Sequence, residues 1–286
     1  VQIIWQRCCP QKTISYWAGK LARLEWPWLK NRFIAWFIQR YGVNMSEALE
    51  SDYRAYRHFN AFFTRALTPS ARPFPAAATV RISPVDGAIS QIGAICQGTL
   101  LQAKGHTYRV NSLLACDEET SAQFNQGYFL TAYLSPKDYH RIHMPIAGQL
   151  MRMTYVPGRL FSVNPYTADH LPDLFARNER LICYFETAEG PMAMVLVGAM
   201  IVASIRTPWH GLVARQREGQ IQHWSYEEAP IPFDRGQEMG QFELGSTVIL
   251  LHTQQAAPWA KQWQAGSLLQ MGAAMTTEAS RANTEA

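Results

Sequence analysis

The residues best equipped for chemistry fall in three short segments far apart in the chain. Ser83-Pro84-Val85-Asp86-Gly87 sets a carboxylate before a glycine, His140-Arg141-Ile142-His143 carries two imidazoles, and Leu244-Gly245-Ser246-Thr247 sets a hydroxyl after a glycine. Together a carboxylate, an imidazole and a hydroxyl can make an activated nucleophile, in which the ring takes the hydroxyl proton and the carboxylate orients the ring. The same trio serves serine hydrolases, but Ser246 lacks the Gly-x-Ser-x-Gly setting of their nucleophile elbow. Each segment also has an ordinary structural reading. Asp-Gly is a common turn, paired histidines suit a surface loop, and His-x-x-His defines no metal site without a third ligand. On a strand, His140 and His143 face opposite sides, whereas a turn after Pro136 brings both to one pocket. Spacing leaves both open.

Groups this dispersed need a core to gather them. The chain has 286 residues and 48% hydrophobic content, enough for one substantial core or a core with a smaller attached unit. Its five cysteines (Cys8, Cys9, Cys96, Cys116 and Cys183) are odd in number and contain no Cys-x-x-Cys pair, which opposes both a disulfide framework and a structural zinc site. No apolar run reaches the length of a bilayer-spanning helix. The N-terminus lacks the apolar stretch and small-residue cleavage site of a secretory signal, so the chain is expected to act inside the cell.

The organisation changes near residue 50. Ile14, Trp17, Ala18, Leu21 and Leu24 follow a helical period, and Pro27 separates them from a second helix. There Leu29, Phe33, Trp36, Phe37 and Tyr41, broadened by Ile34 and Ile38, form a wide apolar face that Gly42 terminates. Between Val1 and Met45 seven basic residues stand against the single acid Glu25. This surplus exceeds the net charge of +4 for the whole chain, so the remainder is mildly acidic. Five of nine tryptophans fall in the same stretch. Bulky aromatics mixed with Lys20, Arg23, Lys30 and Arg32 suit an anionic membrane surface, although a hairpin packed on the main domain or on a dimer partner fits the same pattern. Nucleic acid fits less well, because the cations are diluted by bulky apolar residues.

From about Val80 the pattern becomes that of strands, as in Tyr128 to Tyr133 and Met192 to Val197, broken by Gly and Pro turns. Neither regular strand–helix alternation nor a glycine-rich dinucleotide fingerprint is present. The expected fold class is therefore α+β, with N-terminal amphipathic helices followed by a mainly antiparallel β core. Three regions are expected: 1–50, helical and membrane-associating; 51–265, catalytic; and 266–286, a polar and flexible tail.

Over its length the chain resembles the proteobacterial, pyruvoyl-dependent phosphatidylserine decarboxylases. The resemblance runs through Ser83 to Gly87, Gln102-Ala103-Lys104-Gly105-His106, Asp138-Tyr139-His140-Arg141-Ile142-His143-Met144-Pro145, Leu160 to Asn164, Leu174 to Arg180, Gly236 to Gly240 and Gly245-Ser246-Thr247. Ala203 and Arg235 depart from the family pattern, where glycine and lysine are usual.

The resemblance implies that Ser246 Oγ attacks the Gly245 carbonyl and converts the amide to an ester. β-Elimination then breaks the chain between 245 and 246, and the resulting dehydroalanine tautomerises and hydrolyses to a pyruvoyl group derived from Ser246. It implies His143 as the base, Asp86 as its orienting carboxylate, and His140 as the proton-transfer group in turnover. The substrate would be phosphatidylserine, held through a Schiff base to the pyruvoyl carbonyl and released as phosphatidylethanolamine. Neither metal nor pyridoxal phosphate is implied. The remaining implications are α and β chains from one precursor, a homodimer, and a peripheral position on the cytoplasmic face of the bacterial inner membrane.

Overall fold

The computed structural model describes residues 6, 9–103, 105–200, 205–213, 220–243 and 246–277. Helix α1 spans Gln11–Ala22 and α2 spans Pro27–Tyr41. Pro27 opens α2, where its missing N–H costs nothing, and Gly42 closes it at φ 67°, a conformation favourable for glycine. Both helices carry apolar side chains outward. α1 buries Gln11, Ser15, Gly19 and Ala22, while Tyr16, Trp17 and Leu21 are exposed. The apolar face expected of α2 is divided. Ile34 and Phe37 pack on α3 (Phe59–Phe63), while Leu29, Phe33, Trp36 and Tyr41 remain exposed. Among the described residues no helix is long and apolar enough to cross a membrane.

The body is antiparallel β structure, as the strand pattern predicts. Its strands begin with β1 (Gly87–Ala94), β2 (Thr99–Ala103), β3 (His106–Arg109), β4 (Tyr128–Leu134) and β5 (Arg141–His143). Next come β6 (Gly148–Val156), β7 (Arg180–Thr187), β8 (Gly190–Val197), β9 (Ile205–Thr207) and β10 (Gly211–Val213). β11 (Gln222–Ser225), β12 (Ile231–Phe233), β13 (Glu238–Phe242), β14 (Ser246–His252) and β15 (Leu268–Leu269) complete the set. The main sheet runs β11-β6-β7-β8-β14-β4-β1-β15, with β12 also on β6, and a smaller sheet runs β10-β9-β13-β5.

β14 lies inside the main sheet, between β8 and β4, and all seven of its residues are buried. Val248 and Leu250 enter one hydrophobic core while Ile249 and Leu251 enter the other. An apolar run buried on both faces therefore fixes the register of Ser246 at the strand's start.

The C-terminal stretch departs from the expected flexible tail as far as residue 277. Leu268 and Leu269 pair with β1, Met275 donates its backbone N–H to Arg81 O, and Ser83 donates its own to Ala273 O. Leu269, Met271 and Met275 are buried. Three well-placed apolar anchors outweigh a polar average composition.

Candidate active site

The site gathers at the end of β4. Ser246 pairs with Leu134 on one side of that strand. On the other, β1 begins with Gly87, where a Cβ would lie 2.3 Å from Tyr133 O. Only glycine permits this approach, and it sets Asp86 at the same end as Ser246. The two backbones are separated by the width of β4, about 10 Å at ordinary strand spacing. The chain then turns through Ser135 and Asp138, whose carboxylate accepts the Ser135 N–H at 2.6 Å, and enters β5. His140 O accepts from Phe242 N at 3.0 Å, four residues before Ser246, while His143 N donates to Pro84 O at 2.9 Å.

The turn after Pro136 thus brings both histidines to this end of the fold, each fully or nearly buried. His143 Nδ1 lies 2.8 Å from Gly236 O. A carbonyl only accepts, so Nδ1 carries the hydrogen and Nε2 has a free lone pair, which accepts from the Tyr139 hydroxyl at 3.0 Å. Burial lowers the His143 pKa, and the same effect keeps the Tyr139 phenol protonated by raising its pKa. His143 is therefore a neutral ring with a basic nitrogen, as a general base requires.

Gly236 O, rather than the Asp86 carboxylate expected from sequence, holds His143 Nδ1 in this structure. Asp86 accepts two bonds from Arg72, from Nε at 2.9 Å and from Nη2, and one from Met271 N at 2.8 Å. Arg72 Nη2 also bonds Glu47 at 2.9 Å. A guanidinium fork and a backbone N–H take the oxygens of Asp86, and no hydrogen bond joins it to His143 among the described residues. Asp86 reaches the ring only through space, where its charge raises the His143 pKa slightly against the effect of burial.

Ser246 is wholly buried, and its Oγ has no hydrogen-bond partner among the described residues. No hydrogen bond joins it to His143, and Gly245 and Leu244 lie outside the described residues, as does Lys104. The resembling segments Leu160 to Asn164 and Leu174 to Arg180 serve as scaffold. Asn178 holds Phe161 N, Phe161 O and Gly198 O, and Gln102 holds Ala168 O, Leu171 O and Leu174 N. Sequence reading assigned no role to Arg72, Tyr139 or the Gly236 carbonyl. Tyr139 lies inside the histidine motif and Gly236 heads the Gly236 to Gly240 segment, so both residues have a local signal, whereas Arg72 has none. Among the described residues no group of three or more His, Cys, Asp and Glu side chains is arranged to hold a metal ion.

His140 Nδ1 lies 2.8 Å from Asp138 O, its Nε2 is buried without a partner among the described residues, and Phe63 packs on the ring at 4.0 Å. Burial pushes its pKa down to about 3 from the ordinary 6.5. The unfolded chain therefore binds a proton as pH falls through 6.5, but the folded protein does so only near 3. The stability carried by neutral His140 is complete above 6.5 and drains between those values, by about 1.4 kcal/mol per pH unit. His140→Asn, whose amide can reproduce the bond to Asp138 O, should flatten the decline of the thermal midpoint over this range. A slope equal to that of the wild type would mean that His140 is not held neutral.

A family model described as phosphatidylserine decarboxylase matches residues 59–277, and a second, described as PSD, matches residues 1–42. The phosphatidylserine decarboxylase proenzyme of Marinobacter nauticus is 54% identical over 274 residues, covering 95% of this chain and 96% of its own. The proenzyme of Pseudomonas putida is 53% identical over 273 residues, covering 94% and 95%. That of Pseudomonas fluorescens is 51% identical over 276 residues and covers 96% of each chain.

Proposed function

The chain belongs to the phosphatidylserine decarboxylase family, and from that premise we infer that it is a self-processing carboxy-lyase converting phosphatidylserine to phosphatidylethanolamine and carbon dioxide. The observation that carries the site assignment is Ser246, a fully buried hydroxyl without a partner among the described residues, at the start of a central strand. A hydroxyl kept from hydrogen bonding costs about 1–3 kcal/mol, a cost that a cofactor precursor justifies. This fits a pyruvoyl group formed from Ser246, whose carbonyl would supply the electron sink that decarboxylation of an amino acid headgroup needs.

In this reading Ser246 Oγ attacks the Gly245 carbonyl, the C–N bond breaks to give an ester, and loss of the Ser246 α-proton expels the Gly245 carboxylate. The dehydroalanine left at position 246 tautomerises to an imine, which water hydrolyses to the pyruvoyl group with release of ammonia. His143 Nε2 takes the hydroxyl proton, which requires it to exchange Tyr139 for Ser246 as its partner. The Gly236 carbonyl holds the tautomer, and the charge of Asp86 supports the imidazolium. His140 is the proton-transfer group in turnover through its Nε2; burial holds its pKa at about 3, so substrate in the site must raise its basicity before it carries a proton near neutral pH. After cleavage the 41-residue fragment that starts at position 246 would remain paired through β14 and β15. Intact mass under denaturing conditions, together with carbon dioxide release from phosphatidylserine, tests the whole reading. Full activity in an unbroken chain would sink it, and ester hydrolysis without cleavage would favour the hydrolase alternative.

The membrane assignment for residues 1–50 rests on the outward apolar faces of α1 and α2. Trp17, Trp26, Trp28 and Trp36 are all more than half exposed, an arrangement suited to the interface of an anionic leaflet. Arg23 is paired with Glu243 and Lys30 donates to Arg54 O, so Lys12, Lys20 and Arg32 are the better candidates for lipid phosphates. Neutralising those three should weaken binding to anionic vesicles by about 100-fold at low salt, with the difference narrowing as salt rises. Unchanged binding would move the membrane contact elsewhere. The cytoplasmic inner-membrane face and a homodimer complete the reading on family grounds, and light scattering in detergent checks the dimer.

A further inference from the structure

Two recesses meet at the end of α2. An apolar groove of about 490 Å³ between α1 and α2 extends to Tyr41, and a polar cavity of about 520 Å³ beside Asp86 starts at the next residue, Gly42. α3 links them from inside. Phe59 lines the groove, Phe63 packs on His140, and Arg65, just past the helix, lines the cavity.

The charges around the cavity are satisfied with one buried exception. Arg72 is shared between Asp86 and Glu47, and Asp138 is occupied by the Ser135 N–H. Arg65 is only 4% exposed. Its Nη2 donates to Lys137 O at 3.0 Å, and among the described residues its Nε has no partner and no carboxylate lies within ion-pair distance. Burial lowers its pKa, but a guanidinium keeps its charge at neutral pH. A buried cation with unused donors is costly until an anion completes it.

We propose that Arg65 binds the phosphodiester of the phosphatidylserine headgroup, with the adjoining groove receiving acyl chain; this rests on the decarboxylase reading above. The headgroup offers two anions, and the chemistry separates them. The serine carboxylate must lose its charge as carbon dioxide departs, so a buried cation on it would stabilise the ground state over the transition state and slow the reaction. The phosphodiester keeps its charge throughout. Binding it stabilises ground and transition states alike, and loss of that contact appears in KM rather than kcat.

The test compares wild type, Arg65→Met and Arg65→Lys. Each is assayed for chain cleavage, for turnover of dihexanoyl phosphatidylserine, and for calorimetric binding of dihexanoyl phosphatidylglycerol, which has the phosphodiester without serine. Inorganic phosphate is a parallel titrant. Arg65→Met should raise KM and the phosphatidylglycerol Kd together by about 10- to 100-fold, leave kcat within about 3-fold, and leave cleavage intact. Arg65→Lys should fall between, because it keeps the charge and loses the fork. Unchanged KM and Kd in folded variants would overturn the proposal. Tight phosphate binding lost in Arg65→Met without any change in lipid affinity would also overturn it, in favour of a free-anion site. If Arg65→Met does not fold, Arg65→Lys decides: a several-fold parallel rise in KM and Kd supports the phosphodiester site, and no rise overturns it. Calorimetry needs no pyruvoyl group, so a wild type that fails to decarboxylate would sink the enzyme reading while this arm still judges Arg65.

Discussion

Ser246→Ala should give a folded, unbroken and inactive chain at least as stable as the unprocessed wild type. The activity loss is expected to be complete, because the substitution removes the atom from which the pyruvoyl group would form. The stability expectation follows from the site. Among the described residues Ser246 Oγ has no hydrogen bond to lose, and the small Cβ remains within β14. Removing an unsatisfied buried hydroxyl is expected to be neutral or to stabilise by about 1–3 kcal/mol. Intact mass should show one species in the variant, against two fragments in the wild type, with the small fragment blocked to N-terminal sequencing. The variant's thermal midpoint, compared with wild type trapped before cleavage, checks stability. Cleavage at the same position in the alanine variant would eliminate Ser246 as the nucleophile. A large loss of stability would mean that its hydroxyl has a structural role the geometry does not provide.

His143→Ala is expected to slow self-cleavage by about 10²- to 10⁴-fold, the usual contribution of a positioned general base. The change also leaves Gly236 O and the Tyr139 hydroxyl without partners inside the protein, so folding must be checked by circular dichroism. Tyr139→Phe provides the cleaner control. It removes the donor that stabilises the neutral ring and leaves the Gly236 bond that sets the tautomer. The His143 pKa should therefore rise, and the pH at which cleavage reaches half its maximum should rise with it. At pH values above that point the freed Nε2 should support cleavage at least as fast as in the wild type. An NMR titration of the ring follows the first effect, and time-resolved mass measurement follows the second. A pH profile unmoved by Tyr139→Phe would exclude His143 as the titrating base. Asp86→Asn should affect cleavage by a different route, through loss of the charge that holds Arg72 and supports the ring, and a shift of the loops around residues 72 and 271 should accompany it.

The α+β class, the two N-terminal helices, the strands around β4 and β8, and the three segments that carry Asp86, the histidines and Ser246 are legible in the residues alone. These are local properties. Pro27 and Gly42 punctuate α2 through their own backbone preferences, and the β-branched, aromatic and apolar runs of β4 and β8 favour strands whatever their neighbours. Motif identity was likewise legible, because it rests on residue types at fixed spacing. Pairings between distant residues were decided by the tertiary structure. Arg72 captures Asp86 across 14 residues, and Gly236 meets His143 across 93. A carbonyl is present at every position, so no sequence signal marks the one that will orient a ring. The outward apolar face of α1 was hidden for the same reason: periodicity finds a stripe, but only packing decides whether that stripe or the Gln11, Ser15 and Gly19 side meets the protein. The segment after 266 gained its order from three anchors whose value depends on the cavities they fill. Arg65 is an ordinary arginine in sequence, and it becomes a candidate ligand-binding residue only because the fold buries it beside a cavity without giving it a carboxylate.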